Sequence, residues 1–244
     1  MNVLVTRPLA QSGNLNKLIL NEGHTPLLFP LLEITPLKFG ELNKAYDAII
    51  FISANAVDLG LPKIKQNLSD DTMVFAVGEA TAEKIKSYGV KVSDYPKGKA
   101  SSEALLNLNS IKSLNDKEIL IIRGKGGRET LKNGLVKSNN KITYLEVYDR
   151  VEVDLTDEHT QNLNEFLQSS EGVLILTSNE SVNAFMSIVD QIQSNLLEQL
   201  KSYPVVLLSP RIREYVMNKG FNNLHIASDV SDAGLFEKIQ SLSA

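Results

Sequence analysis

The 244-residue sequence contains no cysteine. This absence excludes disulfide bonds, thiolate nucleophiles and sulfur-ligated metal sites. Histidine is almost as scarce: His24, His159 and His225 lie far apart, and none belongs to an H-x-x-x-H or H-E-x-x-H arrangement. We therefore predict no metal site, and we expect each histidine to be an ordinary surface or loop residue.

Long apolar runs and an excess of positive charge are also missing. No run approaches the roughly 18 to 20 residues that span a bilayer, and the chain enters a strand pattern at once, without a signal-peptide cleavage region. We therefore expect a cytoplasmic protein without a membrane partner. The formal net charge is -4, whereas broad nucleic-acid binding normally requires a clustered basic face. Nucleic acid is not an expected partner, but a local basic pocket for an anion remains compatible with this charge.

The sequence alternates between short aliphatic runs and amphipathic helical patterns, which is typical of an α/β protein with parallel sheets. The apolar residues of the helical patterns are expected to face a sheet as core residues. The predicted strands comprise residues 3–6, 27–29, 48–53, 73–78, 119–123, 173–178 and 205–209.

Internal similarity indicates a duplication. Matched blocks occur in the same order in both halves: LVTR at 4–7 with LIIR at 120–123, PLLEI at 30–34 with TYLEV at 143–147, FISAN at 51–55 with LTSNE at 176–180, and 74–89 with 205–220. These blocks predict two copies of one unit of about 110 to 120 residues. The long segments 29–37 and 141–154 suit paired connectors, because Pro30 and Pro36 cannot donate in a central ladder.

The segment GKGGR at 124–128 follows a predicted strand and precedes a predicted helix. Its backbone N–H groups and two cations are suited to a carboxylate or a phosphate. It lacks the P-loop spacing G-x-x-x-x-G-K-(S/T), and Glu129 stands in place of the third glycine of G-x-G-x-x-G. The residues alone leave an anion site and a plain flexible turn both open.

Three serines, Ser53, Ser178 and Ser209, end predicted strands at matching positions. Open α/β sheets bind ligands outside the carboxyl ends of their strands. The same serines suit helix N-caps, a role that does not exclude a ligand on the loop backbone. No G-x-S-x-G motif surrounds them, so nucleophilic hydrolysis is not indicated.

Taken in order, the motifs VLVTRP, PLLEITP, DAIIFISANAV, VFAVGEATAEKIKSYG, IIRGKGGRETL, YLEVYDR and VLILTSNESVNAF resemble the uroporphyrinogen-III synthase family over nearly the whole chain. The resemblance implies two flavodoxin-like or Rossmann-like lobes with parallel sheets, joined by a two-stranded antiparallel β-ladder hinge, with an active-site cleft between them. Lobe 1 is discontinuous and comprises residues 1–34 and 153–244. Lobe 2 comprises 38–147, and the connecting strands are 35–37 and 148–152.

The reaction implied by this resemblance is cyclisation of the linear tetrapyrrole hydroxymethylbilane to uroporphyrinogen III in heme biosynthesis, with loss of water and inversion of ring D. No cofactor is implied, because the substrate generates its own reactive azafulvene and the protein mainly holds it in the closing conformation. The family also implies a monomer, and it leaves open a transient contact with the preceding enzyme of the pathway.

Residue by residue, the resemblance makes Tyr148 of the V-Y motif the expected catalytic residue, whose phenol donates to the departing hydroxyl. Packing at the hinge is the alternative role for this side chain. The chain departs from the family at Arg211 and Ile212, where relatives often have two threonines, and at Asn55, where they often have an arginine. The expected substrate-binding residues are Arg7, Ser53, Asn55, Thr81, Arg123, Lys125, Arg128, Ser178, Asn179, Ser209 and Arg211.

Two other functions suit a two-lobed α/β protein. One is a non-enzymatic sensor that closes on a small anion. The other is a flavodoxin-like electron carrier, which would bind FMN and show a flavin spectrum. Composition does not separate either function from the synthase.

Overall fold

The computed structural model describes residues 1–42, 44–98, 100–169 and 171–243. Within these residues the chain forms ten strands, which alternate with helices along most of its length. The strands are β1 (Asn2–Val5), β2 (Thr25–Leu28), β3 (Leu32–Pro36), β4 (Ala48–Phe51), β5 (Met73–Ala76), β6 (Glu118–Gly124), β7 (Lys141–Glu152), β8 (Gly172–Leu176), β9 (Val205–Leu207) and β10 (Leu224–Ile226).

The described α-helices number eleven, and short 3-10 turns occur beside several of them. The helices are α1 (Gly13–Asn21), α2 (Ala54–Ile64), α3 (Glu79–Ser87), α4 (Ser102–Leu106), α5 (Asn109–Lys112), α6 (Thr130–Leu135), α7 (Asp157–Gln168), α8 (Asn179–Ile192), α9 (Leu196–Leu200), α10 (Pro210–Met217) and α11 (Asp232–Gln240). None of these helices is both long enough and apolar enough to cross a membrane.

The first sheet has the strand order β10-β9-β8-β1-β2, and every neighbouring pair is parallel. Leu4 of β1 lies between Leu27 of β2 and Leu174 of β8. One face packs against α7, α8 and α10, and the other against α1 and α11. Burial on both faces explains why these strands are almost entirely apolar.

The second sheet has the order β3-β7-β6-β4-β5, and its β4–β5, β4–β6 and β6–β7 pairs are parallel. Helices α2 and α3 cover one face, and α4, α5 and α6 cover the other. β3 lies at the edge of the sheet, which suits Pro36 because proline has no N–H to donate to a neighbouring strand. The α/β fold with mostly parallel sheets is therefore confirmed.

The chain divides into two compact units. The first comprises Met1–Glu33 together with the chain from Val151 onward, and the second comprises Ile34–Arg150. Three of the four matched blocks fall on strands at equivalent positions, because β9-β8-β1 in the first sheet corresponds to β5-β4-β6 in the second. The remaining pair, 30–34 and 143–147, falls on β3 and β7, which are neighbours in the second sheet. Each sheet therefore combines strands from both halves of the sequence.

Every strand predicted from the aliphatic runs is present, although the boundaries differ by one or a few residues. β10 was not predicted. It has only three residues, all half-buried, so it carries neither a long apolar run nor a clear alternation of apolar and polar positions.

The expectation that every histidine is an ordinary surface or loop residue is wrong for His159. Its side chain belongs to α7 and is 3% exposed. Nε2 lies 2.8 Å from the carbonyl oxygen of Pro30, and Nδ1 lies 2.7 Å from Oγ1 of Thr156. Because a carbonyl only accepts, Nε2 donates to Pro30, and Nδ1 accepts the N–H of Thr156 at 3.2 Å. His159 thereby ties the two chain segments of the first unit together.

Candidate functional site

A cavity of about 380 Å³ lies at the carboxyl end of the second sheet. Ile52, Val77 and Gly124 form part of its wall where β4, β5 and β6 end. Parallel sheets bind ligands at this edge, where the loops after the strands meet. All of the lining belongs to the unit Ile34–Arg150. The remaining lining residues are Ala100, Ser101, Ser102, Ile121, Arg123, Gly126, Gly127, Arg128, Leu131, Tyr144 and Arg150.

Tyr148, the expected catalytic residue, is fully buried on β7 next to the cavity wall. Its hydroxyl oxygen lies 3.0 Å from Oγ of Ser53, and it accepts a hydrogen bond from Nη2 of Arg150 at 3.1 Å. Oγ of Ser53 also accepts the N–H of Ala56 at 3.1 Å. Two polar side chains therefore fix the position of the phenol oxygen.

The Tyr148 ring packs so tightly against Gly124 that this position has no room for a side chain. A Cβ there would lie 2.5 Å from Cε2 and 2.7 Å from Cζ of the tyrosine. The register of β6 and β7 shifts between Arg123 and Gly124, so that Gly124 pairs with Tyr148. Tyr148 and its neighbour Val147 both pack into the core beneath α2. The bulge thus turns the tyrosine to that face of the sheet.

Arg123, an expected substrate-binding residue, is a buried cation in the cavity wall and is 4% exposed. Its guanidinium lies 3.2 Å from Oε1 of Glu129 and 4.5 Å from the centroid of the Tyr144 ring. The Tyr144 hydroxyl donates to Oε2 of Glu129 at 3.0 Å. This bond and the Arg123 guanidinium lower the pKa of Glu129. Burial and the same bond raise the pKa of Tyr144 to about 12, so the tyrosine is neutral at pH 7.

Two glycines allow the loop after β6 to close against Arg123. Gly126 and Gly127 have φ angles of +70° and +95°, in the left-handed region that favours glycine. A Cβ on Gly127 would lie 2.7 Å from Nη2 of Arg123. The loop is therefore packed on the buried guanidinium, which a plain flexible turn would not require.

Lys125 and Arg128, the two expected cations of this loop, are both paired with carboxylates. Nζ of Lys125 lies 3.1 Å from Asp149, and Nη1 of Arg128 lies 2.6 Å from Glu103. The side chains of both cations are more than half exposed. Exposed pairs of this kind contribute about 0 to 1 kcal/mol, so a ligand carboxylate can replace the protein partner at small cost.

The strand-end serines are N-caps, which confirms one of the two roles expected for them. A cap leaves the hydroxyl proton free for a further bond, and at Ser53 the hydroxyl also contacts Tyr148. The capping bonds come from Ala56 N–H to Ser53 at 3.1 Å, Ser181 N–H to Ser178 at 3.0 Å and Ile212 N–H to Ser209 at 3.4 Å.

Asn55 and Thr81 lie in the first turns of α2 and α3, and neither belongs to the cavity lining. The other expected binding residues belong to the first unit. Among them, Arg7 pairs with Asp232, and Oδ1 of Asn179 is buried without a hydrogen-bond partner among the described residues. The expected binding residues in the first unit follow β1, β8 and β9. They are Arg7, Ser178, Asn179, Ser209 and Arg211.

The sequence did not point to Arg150, Tyr144 or Glu129 as members of the site. Arg150 lies two residues after Tyr148 on the same strand, a spacing that places side chains on one face. This spacing was the available signal for Arg150. Within the described residues no group of three or more histidine, aspartate or glutamate side chains is arranged to hold a metal ion.

The sequence matches the model of a protein family described as uroporphyrinogen-III synthase HemD over residues 13–237. A uroporphyrinogen-III synthase of Proteus mirabilis is 30% identical over 168 residues, which cover 65% of this chain and 84% of that protein. A uroporphyrinogen-III synthase of Escherichia coli strain K12 is 24% identical over 257 residues, which cover 98% of this chain and 100% of that protein.

The fold is similar to that of a solved structure. The crystal structure of uroporphyrinogen-III synthetase from Helicobacter pylori 26695 matches with a TM-score of 0.67 and 20% sequence identity. The match covers 99% of this chain and 98% of that chain. At this identity the likeness shows a shared α/β architecture.

Proposed function

Because the chain belongs to the uroporphyrinogen-III synthase family, we infer that it cyclises hydroxymethylbilane to uroporphyrinogen III, with loss of water and inversion of ring D. This makes it a cyclising hydro-lyase of heme biosynthesis. The observation that carries the inference for this chain is the fixed phenol of Tyr148 beside a cavity lined by Arg123, Arg128 and Arg150.

In the proposed reaction, Tyr148 protonates the leaving group. The C–O bond of the hydroxymethyl group breaks, and the phenol gives its proton to the departing oxygen, which leaves as water. The azafulvene cation and the Tyr148 phenolate remain. The cation bonds to the substituted α-carbon of ring D, and the bond from that carbon to the neighbouring methylene then breaks. The methylene cation so formed bonds to the free α-carbon of ring D, which inverts the ring, and the proton lost from that carbon returns to the phenolate. The Ser53 hydroxyl, held beside the phenolate oxygen, favours the charge-separated state.

The proposed role of the cavity is to hold acetate and propionate groups of the substrate. Arg123 supplies a buried cation, whereas Lys125 and Arg128 supply exposed cations on the loop after β6. Guanidinium groups bind carboxylates through two parallel N–H bonds. Several such contacts hold a flexible tetrapyrrole in one conformation, which lowers the entropic cost of ring closure.

We also propose that the two compact units are the lobes implied by the family, with residues 1–34 and 153–244 in lobe 1 and 38–147 in lobe 2. Hydrogen bonds support an antiparallel arrangement of the connecting strands: Leu37 N–H donates to Val147 in one unit, and Val153 N–H donates to Leu31 in the other. The residue number rises on one strand as it falls on the other. The monomeric state, cytoplasmic location and contact with the preceding enzyme stay predictions.

The test of the proposed function is the isomer formed from enzymatically generated hydroxymethylbilane. The products are oxidised to porphyrins and separated by chromatography, with a reaction lacking the protein as the control for spontaneous closure. The proposed function predicts predominantly the type III isomer. Formation of only the type I isomer, at the rate of the control, would contradict it and favour the anion sensor.

A further inference from the structure

Arg150 differs from the other cations of the cavity because its side chain forms no ion pair within the described residues. Arg123, Lys125 and Arg128 each pair with a carboxylate. In the part of the chain that the structure describes, no carboxylate lies within ion-pair distance of the Arg150 side chain. Its guanidinium makes one side-chain hydrogen bond, from Nη2 to the Tyr148 hydroxyl at 3.1 Å. An arginine side chain has five N–H donors, so most of its donors remain available to an anion.

Arg150 also separates the cavity from the phenol. The Tyr148 side chain has no exposed surface and is absent from the cavity lining, whereas Arg150 is exposed and belongs to that lining. The guanidinium carbon lies 5.3 Å from the centroid of the tyrosine ring. A ligand in the cavity therefore meets Arg150 before it reaches the hydroxyl of Tyr148.

We propose that Arg150 binds a carboxylate of the substrate and that this contact draws its guanidinium away from the Tyr148 hydroxyl. A bidentate bond to a carboxylate is stronger than one N–H bond to a neutral phenol, so the anion displaces the phenol as the partner. The hydroxyl is then open to the bound substrate while Ser53 still holds its oxygen. This role rests on the proposed function, because the carboxylate is that of the tetrapyrrole.

The proposal that Arg150 covers the Tyr148 hydroxyl in the absence of substrate is called the covering role. It is tested without substrate, by nitration of tyrosines with tetranitromethane and peptide mass spectrometry. In Arg150→Gln we expect nitration of Tyr148 to rise several-fold over the wild-type protein. Tyr46, which is 5% exposed, is the internal reference and should stay unmodified in both proteins. Arg213→Gln removes an equal charge from the exposed surface of α10 and should leave nitration of Tyr148 at the wild-type level.

The binding role is tested by steady-state kinetics with hydroxymethylbilane. We expect Arg150→Gln to raise KM about tenfold, because a charge-assisted hydrogen bond is lost, with a smaller change in kcat. Arg150→Lys keeps the charge but lacks the planar guanidinium group, so its KM should lie between those of the wild-type protein and Arg150→Gln. Arg213→Gln should have the wild-type KM. A general loss of folding would lower the active fraction and hence kcat, and would leave KM unchanged.

Each half of the proposal has its own contradicting result. Unchanged nitration of Tyr148 in Arg150→Gln overturns the covering role, and an unchanged KM in an active Arg150→Gln variant overturns the carboxylate contact. Failure of the wild-type protein to form the type III isomer overturns the proposed function instead. The nitration measurement uses no substrate and distinguishes that failure from a failure of the covering role.

Discussion

Tyr148 combines two properties that suit a proton donor at a fixed position. Its ring is packed as a core residue, against Gly124 and the helix α2, and its hydroxyl has two polar neighbours, Ser53 and Arg150. Packing fixes where the oxygen lies, and the Ser53 hydroxyl, which stays beside it when Arg150 turns to the substrate carboxylate, favours negative charge on it when a proton departs. A side chain of this kind serves proton donation better than a mobile surface tyrosine does.

The substitution Tyr148→Phe separates these two properties, because it removes the hydroxyl and keeps the ring. We expect turnover of hydroxymethylbilane to fall about tenfold or more, and to fall further than for any single serine or threonine substitution at the site. The matched control is Tyr203→Phe, a half-buried tyrosine of the other unit, which should keep wild-type turnover. Equal turnover in Tyr148→Phe and the wild-type protein would reduce Tyr148 to a packing residue.

Part of this site could be predicted from the sequence. Tyr148, Arg123 and the GKGGR loop were identified because they stand in motifs or directly after an aliphatic run. The partners could not be predicted in the same way: Glu129 is paired with Arg123 and Tyr144, and Arg150 with Tyr148. These pairs depend on side-chain directions that are fixed only when β6, β7 and the loop have packed.

At the scale of secondary-structure elements, the cap of α2 also contacts the hydroxyl of the proposed catalytic residue, Tyr148. Ser53 accepts the N–H of Ala56 at 3.1 Å and contacts Tyr148, whereas Ser231 accepts the N–H of Gly234 at 3.1 Å at the start of α11. We expect Ser53→Ala and Ser231→Ala each to lower the free energy of unfolding by about 1 kcal/mol.

Only Ser53→Ala should also lower turnover, because it removes the hydroxyl that contacts the phenol oxygen of Tyr148. Urea denaturation measures the first effect, and steady-state kinetics measures the second. Loss of turnover in both variants to the same extent would indicate that the cap acts through stability alone.

The β-bulge on β7 is a feature of this strand that the sequence pattern did not predict. Strict alternation along the strand would place Tyr144 and Tyr148 on the same face. The register shift at Gly124 instead places Tyr148 in the core beneath α2, while Tyr144 packs on the opposite face beside α6. The long apolar run predicts a strand, but nothing in its pattern marks the extra residue.

At the scale of the whole molecule, more of the fold than of the site could be predicted from the sequence. The aliphatic runs and the duplication gave the strands and their parallel arrangement, because burial on both faces leaves a strong hydrophobic signal. The unit formed by the two ends of the chain depends on contacts that are distant in sequence. One of these is the buried bond between His159 and Pro30, and an isolated histidine gives no sign of such a partner.

This arrangement predicts that the segment 151–244 does not fold alone. β1 and β2 form one side of the five-stranded sheet next to β8, so the segment lacks two of its five strands and leaves β8 without one neighbour. Burial of Leu4, Ile19 and Phe29 together contributes about 5 to 9 kcal/mol, comparable with the whole stability of a domain. Joining residues 1–33 to its C-terminus through a short Gly/Ser linker should restore a cooperative urea transition.

A short linker suffices because Met1 and Ser243 line the same cavity of about 550 Å³ at the amino end of the first sheet. Circular dichroism during urea titration compares the fused chain with 151–244 alone. A cooperative transition in 151–244 alone would contradict the prediction.

The mixed origin of the two sheets also constrains how the molecule arose. β1 and β2 come from the first copy of the repeat and complete a sheet with β8 and β9 of the second, while β6 and β7 complete the sheet of β4 and β5. A lone ancestral copy could build such a sheet within one molecule or by exchanging its leading strands with a sister molecule. Gene fusion of the swapped form would produce a chain in which each sheet contains strands of both copies, as is the case here.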